Sequence, residues 1–262
     1  MNSRYQFSYL TKQVITFAVY VIFLVFILKN IINAPDNSTR VFNIIVLLLL
    51  GIPAIFYEFL RYNFDSATKK TIFEGRPSEA LNQIFLVEKY DILKMFKTSC
   101  MMLRMLCLID TRKFSELKEY VNSVKKEDLN DYDVAILSSY AEMIANGEEN
   151  ARGRMNSAFK EMVTTRDIKD KKGRRSKGAY FFNWNVVYGE HKLYENDYEG
   201  SWKYLKQVNE STMNKREAMH YFAKRALVCK QLKMIDDYKT FKERALKAAG
   251  QNTEMKNYIE TL

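Results

Sequence analysis

Apolar positions fall into two regimes along the chain. From Val14 to Leu60 they are almost continuous, and beyond Arg61 they recur at helical intervals between charged residues. The continuous part consists of two runs, Val14 to Leu28 extended by Ile31 and Ile32, and Val41 to Leu60. A polar link containing Asn33, Pro35, Asp36, Asn37 and Arg40 separates them. Crossing a hydrocarbon core of roughly 30 Å takes about 20 apolar residues. The second run meets that length with one charge, Glu58, near its end, and the first meets it only with its flanks. The pattern predicts two transmembrane helices, at about 13–32 and 41–60, forming an N-terminal membrane anchor over 1–60. A buried hairpin of a soluble domain would show an apolar stripe, yet Ile44 to Leu50 is apolar on every face. A cleaved leader would need a small-x-small site before the second run, and none is present. Gly51 and Pro53 are compatible with a membrane helix, where local adjustments satisfy the freed carbonyl.

The remainder, 61–262, reads as helix throughout. With 9 glycines and 3 prolines in the whole chain there is little to interrupt helices, and no stretch alternates with the two-residue period of a strand. The predicted fold class is therefore all-α. The most informative stretch is Gly189 to Val208, GEHKLYENDYEGSWKYLKQV. One helix ends near Tyr194, Glu195-Asn196-Asp197 makes a turn, and a second helix from Tyr198 places Ser201, Leu205 and Val208 on one face. That is an αα-hairpin. Similar second-helix triplets are Ala80, Ile84, Val87; Leu117, Val121, Val124; Ala151, Met155, Ala158; and Phe241, Ala245, Ala248. Polar or turn-forming residues precede each, and candidate first helices lie at about 91–109, 130–145, 179–194 and 215–233.

The triplets recur at intervals near the period of about 34 residues that marks tetratricopeptide repeats, and the segment 62–250 resembles that family. Gly189 stands where the family favours a small residue at a close helix crossing, Ser201 replaces its usual Ala, Ala80 and Ala151 match that Ala, and Cys229 takes the small-residue position of the last unit. Leu117, Phe241 and Lys192 depart from the pattern, and no unit ends in the usual Pro. The resemblance implies an α-α-hairpin (TPR-like) solenoid whose first helices line a concave, partner-binding face. In the register of Gly189 and Ser201, the partner-binding positions are Asn183, Glu190 and Tyr194, with Tyr140 and Lys230 as counterparts in neighbouring units. Polar residues at 251–262 suit a terminal cap.

Charge adds an orientation and a second candidate surface. The formal net charge is +10. Arg4 and Lys12 before the first run, and Arg61, Lys69, Lys70 and Arg76 after the second, outweigh Lys29 and Arg40 in the link. That bias puts both termini in the cytoplasm. The stretch Arg166 to Lys177 carries seven of the basic residues against Asp167 and Asp170. Lys171, Lys172, Arg174, Arg175 and Lys177 are the candidate anion contacts there, with anionic lipid headgroups preferred over nucleic acid because a membrane is already tethered nearby. The neighbouring Tyr180, Phe181, Phe182, Trp184 and Tyr188 invite a nucleic-acid reading, but Phe181, Trp184 and Tyr188 share one helical face and suit a core better.

Catalytic patterns are weak. Cys100, Cys107 and Cys229 are odd in number and set among apolar neighbours, as reduced core thiols are. His191 and His220 form no metal-ligand spacing, and the lone Glu217-x-x-His220 pair is half of what a di-metal bundle requires. No phosphate loop or nucleophile elbow appears. The expectation is a non-enzymatic, cofactor-free membrane scaffold or accessory subunit that binds a protein partner. A lipid- or nucleic-acid-binding module acting through 166–177 is the alternative.

Overall fold

The computed structural model describes residues 3–125, 127–167 and 183–262. Among them the protein is all-α, with α1 (Ser3–Ile32), α2 (Asn37–Lys69), α3 (Pro77–Tyr90), α4 (Lys97–Asp110), α5 (Phe114–Ser123), α6 (Tyr132–Glu148), α7 (Arg152–Asp167), α8 (Trp184–Tyr194), α9 (Tyr198–Leu205), α10 (Lys215–Gln231), α11 (Ile235–Ala249) and α12 (Thr253–Thr261). The chain divides into two compact units, Met1–Tyr62 and Asn63–Leu262.

In the first unit, α1 and α2 meet where the Tyr20 hydroxyl donates to Glu58 Oε1 at 3.1 Å, and the Asn43 amide reaches the Asn30 carbonyl at 3.4 Å. Asp36 caps α2 by accepting from the Thr39 backbone N–H and hydroxyl. Pro53 lies inside α2 without ending it. The apolar surface is turned outward, with Ile22, Leu49 and Ile55 all exposed. Among the described residues one helix, Asn37–Glu74, is long and apolar enough to cross a membrane, while the apolar stretch Ala18–Ile32 is shorter. The expected pair of spans is thus matched by one helix of that length.

In the second unit the helices pack in neighbouring pairs, and one backbone device repeats between them. A left-handed residue closes the turn after α2, α4, α6, α8 and α10: Gly75, Arg112, Asn150, Asn196 and Lys233. In the last four, the N–H of the following residue bonds a carbonyl five positions back, as from Lys113 to Leu108, Ala151 to Asn146, Asp197 to Lys192 and Met234 to Cys229. This is the helix-ending motif that satisfies orphan carbonyls. At Gly75 a π-helical turn, Lys70–Glu74, adds one residue to the same closure. Gly75 also needs to lack a side chain, since a Cβ there would lie 2.9 Å from the Ala249 carbonyl.

These turns recur every 37 to 46 residues, within the range of roughly 34 to 47 that helical-hairpin repeats span. They also correct the register. Counting from them, Ala80, Leu117, Met155, Ser201 and Tyr238 are equivalent, so Met155 replaces Ala151 and Tyr238 replaces Phe241 in the pattern read from sequence. Ala151 in fact precedes α7. The close crossing at Gly189 is real: a Cβ there would lie 2.8 Å from Leu205, and the Ser201 hydroxyl donates to the Gly189 carbonyl at 2.7 Å. The first-helix range 91–109 is shortened, because Asp91 accepts from the backbone N–H groups of Met95 and Phe96 and α4 starts only at Lys97.

The core runs along the array, from Ile84, Val87 and Leu103, through Leu137, Met143 and Met155, to Leu205, Phe222 and Ile259. Residues 251–262 differ from a cap on an open end. The Asn252 amide bonds the Asp110 carbonyl at 3.0 Å, and the Arg112 guanidinium stacks 3.6 Å from the Tyr258 ring centroid. The array therefore closes, its last helix against its early ones.

Candidate functional site: the enclosed polar centre of the array

Closure brings charged side chains from distant hairpins to one centre. Asp110, at the end of α4, is 1% exposed and accepts from Arg216 Nε and pairs with His220 Nε2, both at 2.7 Å. Arg216, His220 and Lys224 recur every four residues and so form a polar stripe on α10. The opposite side of α10 carries Phe222, Ala226 and Cys229 into the core. Asn214 and Glu217 form a capping box that starts this helix and sets the stripe's direction. The Glu217-x-x-His220 pair is thereby divided, Glu217 to the helix start and His220 to Asp110.

Next to this contact, Glu190 of α8 is buried, accepting from the Tyr140 hydroxyl at 2.8 Å and pairing with Lys224 Nζ at 2.9 Å. Glu148, at the end of α6, accepts from Tyr194 at 3.2 Å and from Arg112 at 2.7 Å. Tyr194 lies against Gly147, where a Cβ would be 2.6 Å from its ring. These groups surround a cavity of about 240 Å³ whose apolar wall includes Ile144, Leu193, Leu227 and Met255. Asn150, Asn196 and Gln231 stand exposed among its lining residues.

Electrostatics keep the centre charged in a defined way. Burial opposes ionisation of Asp110, but the Arg216 guanidinium and the His220 hydrogen bond hold its carboxyl below the usual range. Burial lowers the His220 pKa despite Asp110, so the ring is neutral at physiological pH and donates from Nε2. Burial, reinforced by Glu190, raises the Tyr140 and Tyr194 hydroxyls well above their ordinary value, leaving them donors. Burial also pushes Cys107 and Cys100 up to about 12 and Cys229 to about 11, which keeps these free thiols protonated.

Of the residues expected to contact a partner, Tyr140, Glu190 and Tyr194 are brought together here, with Glu190 and Tyr194 in the cavity wall. Asn183 is elsewhere, as the N-cap of α8 accepting from Asn185 N. Lys230 is also elsewhere, its ammonium bonded to the Leu262 carbonyl. Lys171, Lys172, Arg174, Arg175 and Lys177 lie outside the described residues, as do Tyr180, Phe181 and Phe182. Arg166, just before that stretch, clamps α7 to α8: it donates to Tyr188 at 2.8 Å and stacks 4.7 Å from the Trp184 ring. Among the described residues no group of His, Cys, Asp and Glu is placed to hold a metal ion. Asp110, Arg112, Glu148, Arg216 and Lys224 belong to the centre without having stood out in the sequence. The four-residue spacing of Arg216, His220 and Lys224 was their one legible trace. No family model, curated protein or solved structure matches the chain.

Proposed function

We propose that this protein is a membrane-anchored adaptor that uses its helical array to hold a segment of a protein partner at the enclosed polar centre. In this reading α1 and α2 both cross the bilayer, the termini are cytoplasmic, and the array works as a TPR-like scaffold. The observation that carries the reading is the cavity lined from hairpins far apart in sequence. Its charges are already paired, buried Glu190 with Lys224 and half-buried Glu148 with Arg112, and its rim offers the amides of Asn150, Asn196 and Gln231. An amide side chain has both donor and acceptor, which suits an extended peptide backbone, and the adjacent aromatic and aliphatic wall suits one anchoring side chain. Paired internal charges hold the wall in place and leave no unbalanced ion to repel such a guest.

The test is site-specific photo-crosslinking in native membranes. A photoreactive residue at Asn196 or Gln231 is expected to capture a partner that the same residue at exposed Lys239, on α11, does not. Equal capture from both positions, or capture from neither, defeats the assignment of the cavity as the binding site.

A further inference from the structure

The two most exposed large apolar residues described in the second unit, Ile92 and Leu93, lie together with Met95 in the α3–α4 loop. Ile92 is 82% exposed, Leu93 78% and Met95 59%, while the next residue, Phe96, turns inward onto Phe64 with ring centroids 5.5 Å apart. The loop is preorganised. The Asp91 carboxylate accepts from Met95 N at 2.9 Å and Phe96 N at 2.6 Å, and Lys94 donates its backbone N–H to the Asp91 carbonyl at 3.0 Å in a left-handed conformation. A water-facing loop gains nothing from presenting three large apolar side chains on a fixed frame, and such a display marks a contact surface.

Its position and charge identify the occupant. Phe64 follows the apolar run by four residues, so however the two units are arranged it lies within about 14 Å of Leu60 along the chain. Phe96 holds the loop beside that point. The apolar tip is flanked by the exposed Lys89 and Lys94, whereas the acidic groups nearby are already engaged, Asp91 by backbone N–H groups and Glu88 by Arg104 at 2.8 Å. An apolar tip with a basic rim matches the acyl boundary beneath anionic headgroups. We propose that the α3–α4 loop is a second membrane contact, with Ile92, Leu93 and Met95 inserted into the interfacial layer of the bilayer that holds the anchor. The inference rests on the anchor reading above. The tether supplies the high local concentration that three side chains need to stay inserted.

The experiment uses the full chain in vesicles of phosphatidylcholine and phosphatidylglycerol, with an environment-sensitive fluorophore at Leu93→Cys, Leu49→Cys or Ile235→Cys. Native Cys100, Cys107 and Cys229 are at most 1% exposed and do not compete for label in the folded protein. Nitroxide-bearing lipid is expected to quench most of the emission at positions 49 and 93, while aqueous iodide quenches only position 235. If position 93 behaves like 235 while 49 is quenched by lipid, the loop contact is wrong and the anchor stands. If 49 also escapes lipid quenching, both fall together. Protection of position 93 from both quenchers means that protein covers the loop, which also overturns the proposal.

Discussion

Gly153 and Gly189 are both helical glycines, and opposite outcomes follow from replacing them with alanine. A Cβ at Gly153 meets nothing within 4 Å, so Gly153→Ala is expected to stabilise the protein by up to about 1 kcal/mol through helix propensity alone. A Cβ at Gly189 would collide with Leu205, and the Ser201 hydrogen bond to the Gly189 carbonyl prevents the helices from separating cheaply. Gly189→Ala is expected to cost roughly 1 to 3 kcal/mol, as overpacking does. Urea unfolding in mild detergent, followed by helical circular dichroism, measures both. A gain at Gly189 contradicts the crossing described, and a loss at Gly153 contradicts the open space around it. The small residue at 189 was legible in the sequence because a turn and an apolar face followed it at fixed distances. Tyr194 over Gly147 was not, because the two residues lie in separate hairpins.

At the scale of elements, helical periodicity revealed the pairs but not their register. An i, i+4, i+7 pattern shifted by one turn resembles itself, so Ala151 and Phe241 passed for positions that Met155 and Tyr238 hold. The left-handed turn residues break that degeneracy, but Arg112 and Lys233 carry no sequence mark of the conformation as Asn150 and Asn196 do. The contact between α4 and α10 was hidden for another reason, since Arg216 and His220 lie 106 and 110 residues from Asp110. That contact makes stability depend on pH. His220 and His191 both have depressed folded-state pKa values through burial, so the stability they confer is complete above the unfolded value near 6.5 and is lost as pH falls below it. Asp110, Arg216 and Lys224 face His220, and Asp110 itself begins to lose its contribution only below about 4. Burial raises Glu142 and Glu217, which act in the opposite sense on acidification, so the comparison is between variants. Between pH 7.5 and 5.5, Tm is expected to fall less for His191→Gln/His220→Gln than for the unaltered protein. Identical pH profiles would show that the buried rings do not control it.

For the whole molecule, the proposed topology rests on flanking charge and span length, and it has a direct readout. Protease added outside intact cells is expected to leave 63–262 uncut, while the same protease degrades exposed loops of that unit once the membrane is opened. Cleavage in intact cells would reverse the orientation and place the partner on the other side of the bilayer. One helix long and apolar enough to cross a membrane was legible from composition, because its apolar run reaches the length a bilayer core requires. The closed array was not, because a solenoid read from sequence has independent ends. Closure has a consequence in time. Asn252 bonds a carbonyl 142 residues earlier in the chain, and synthesis at roughly 5 to 20 residues per second separates the two by on the order of ten seconds. Arg216 and His220 follow Asp110 by 106 and 110 residues, so its carboxylate is matched first and its carbonyl receives the Asn252 amide last. Until synthesis passes residue 258, the polar centre lacks Met255 and Tyr258, two of the residues that line its cavity in the finished protein.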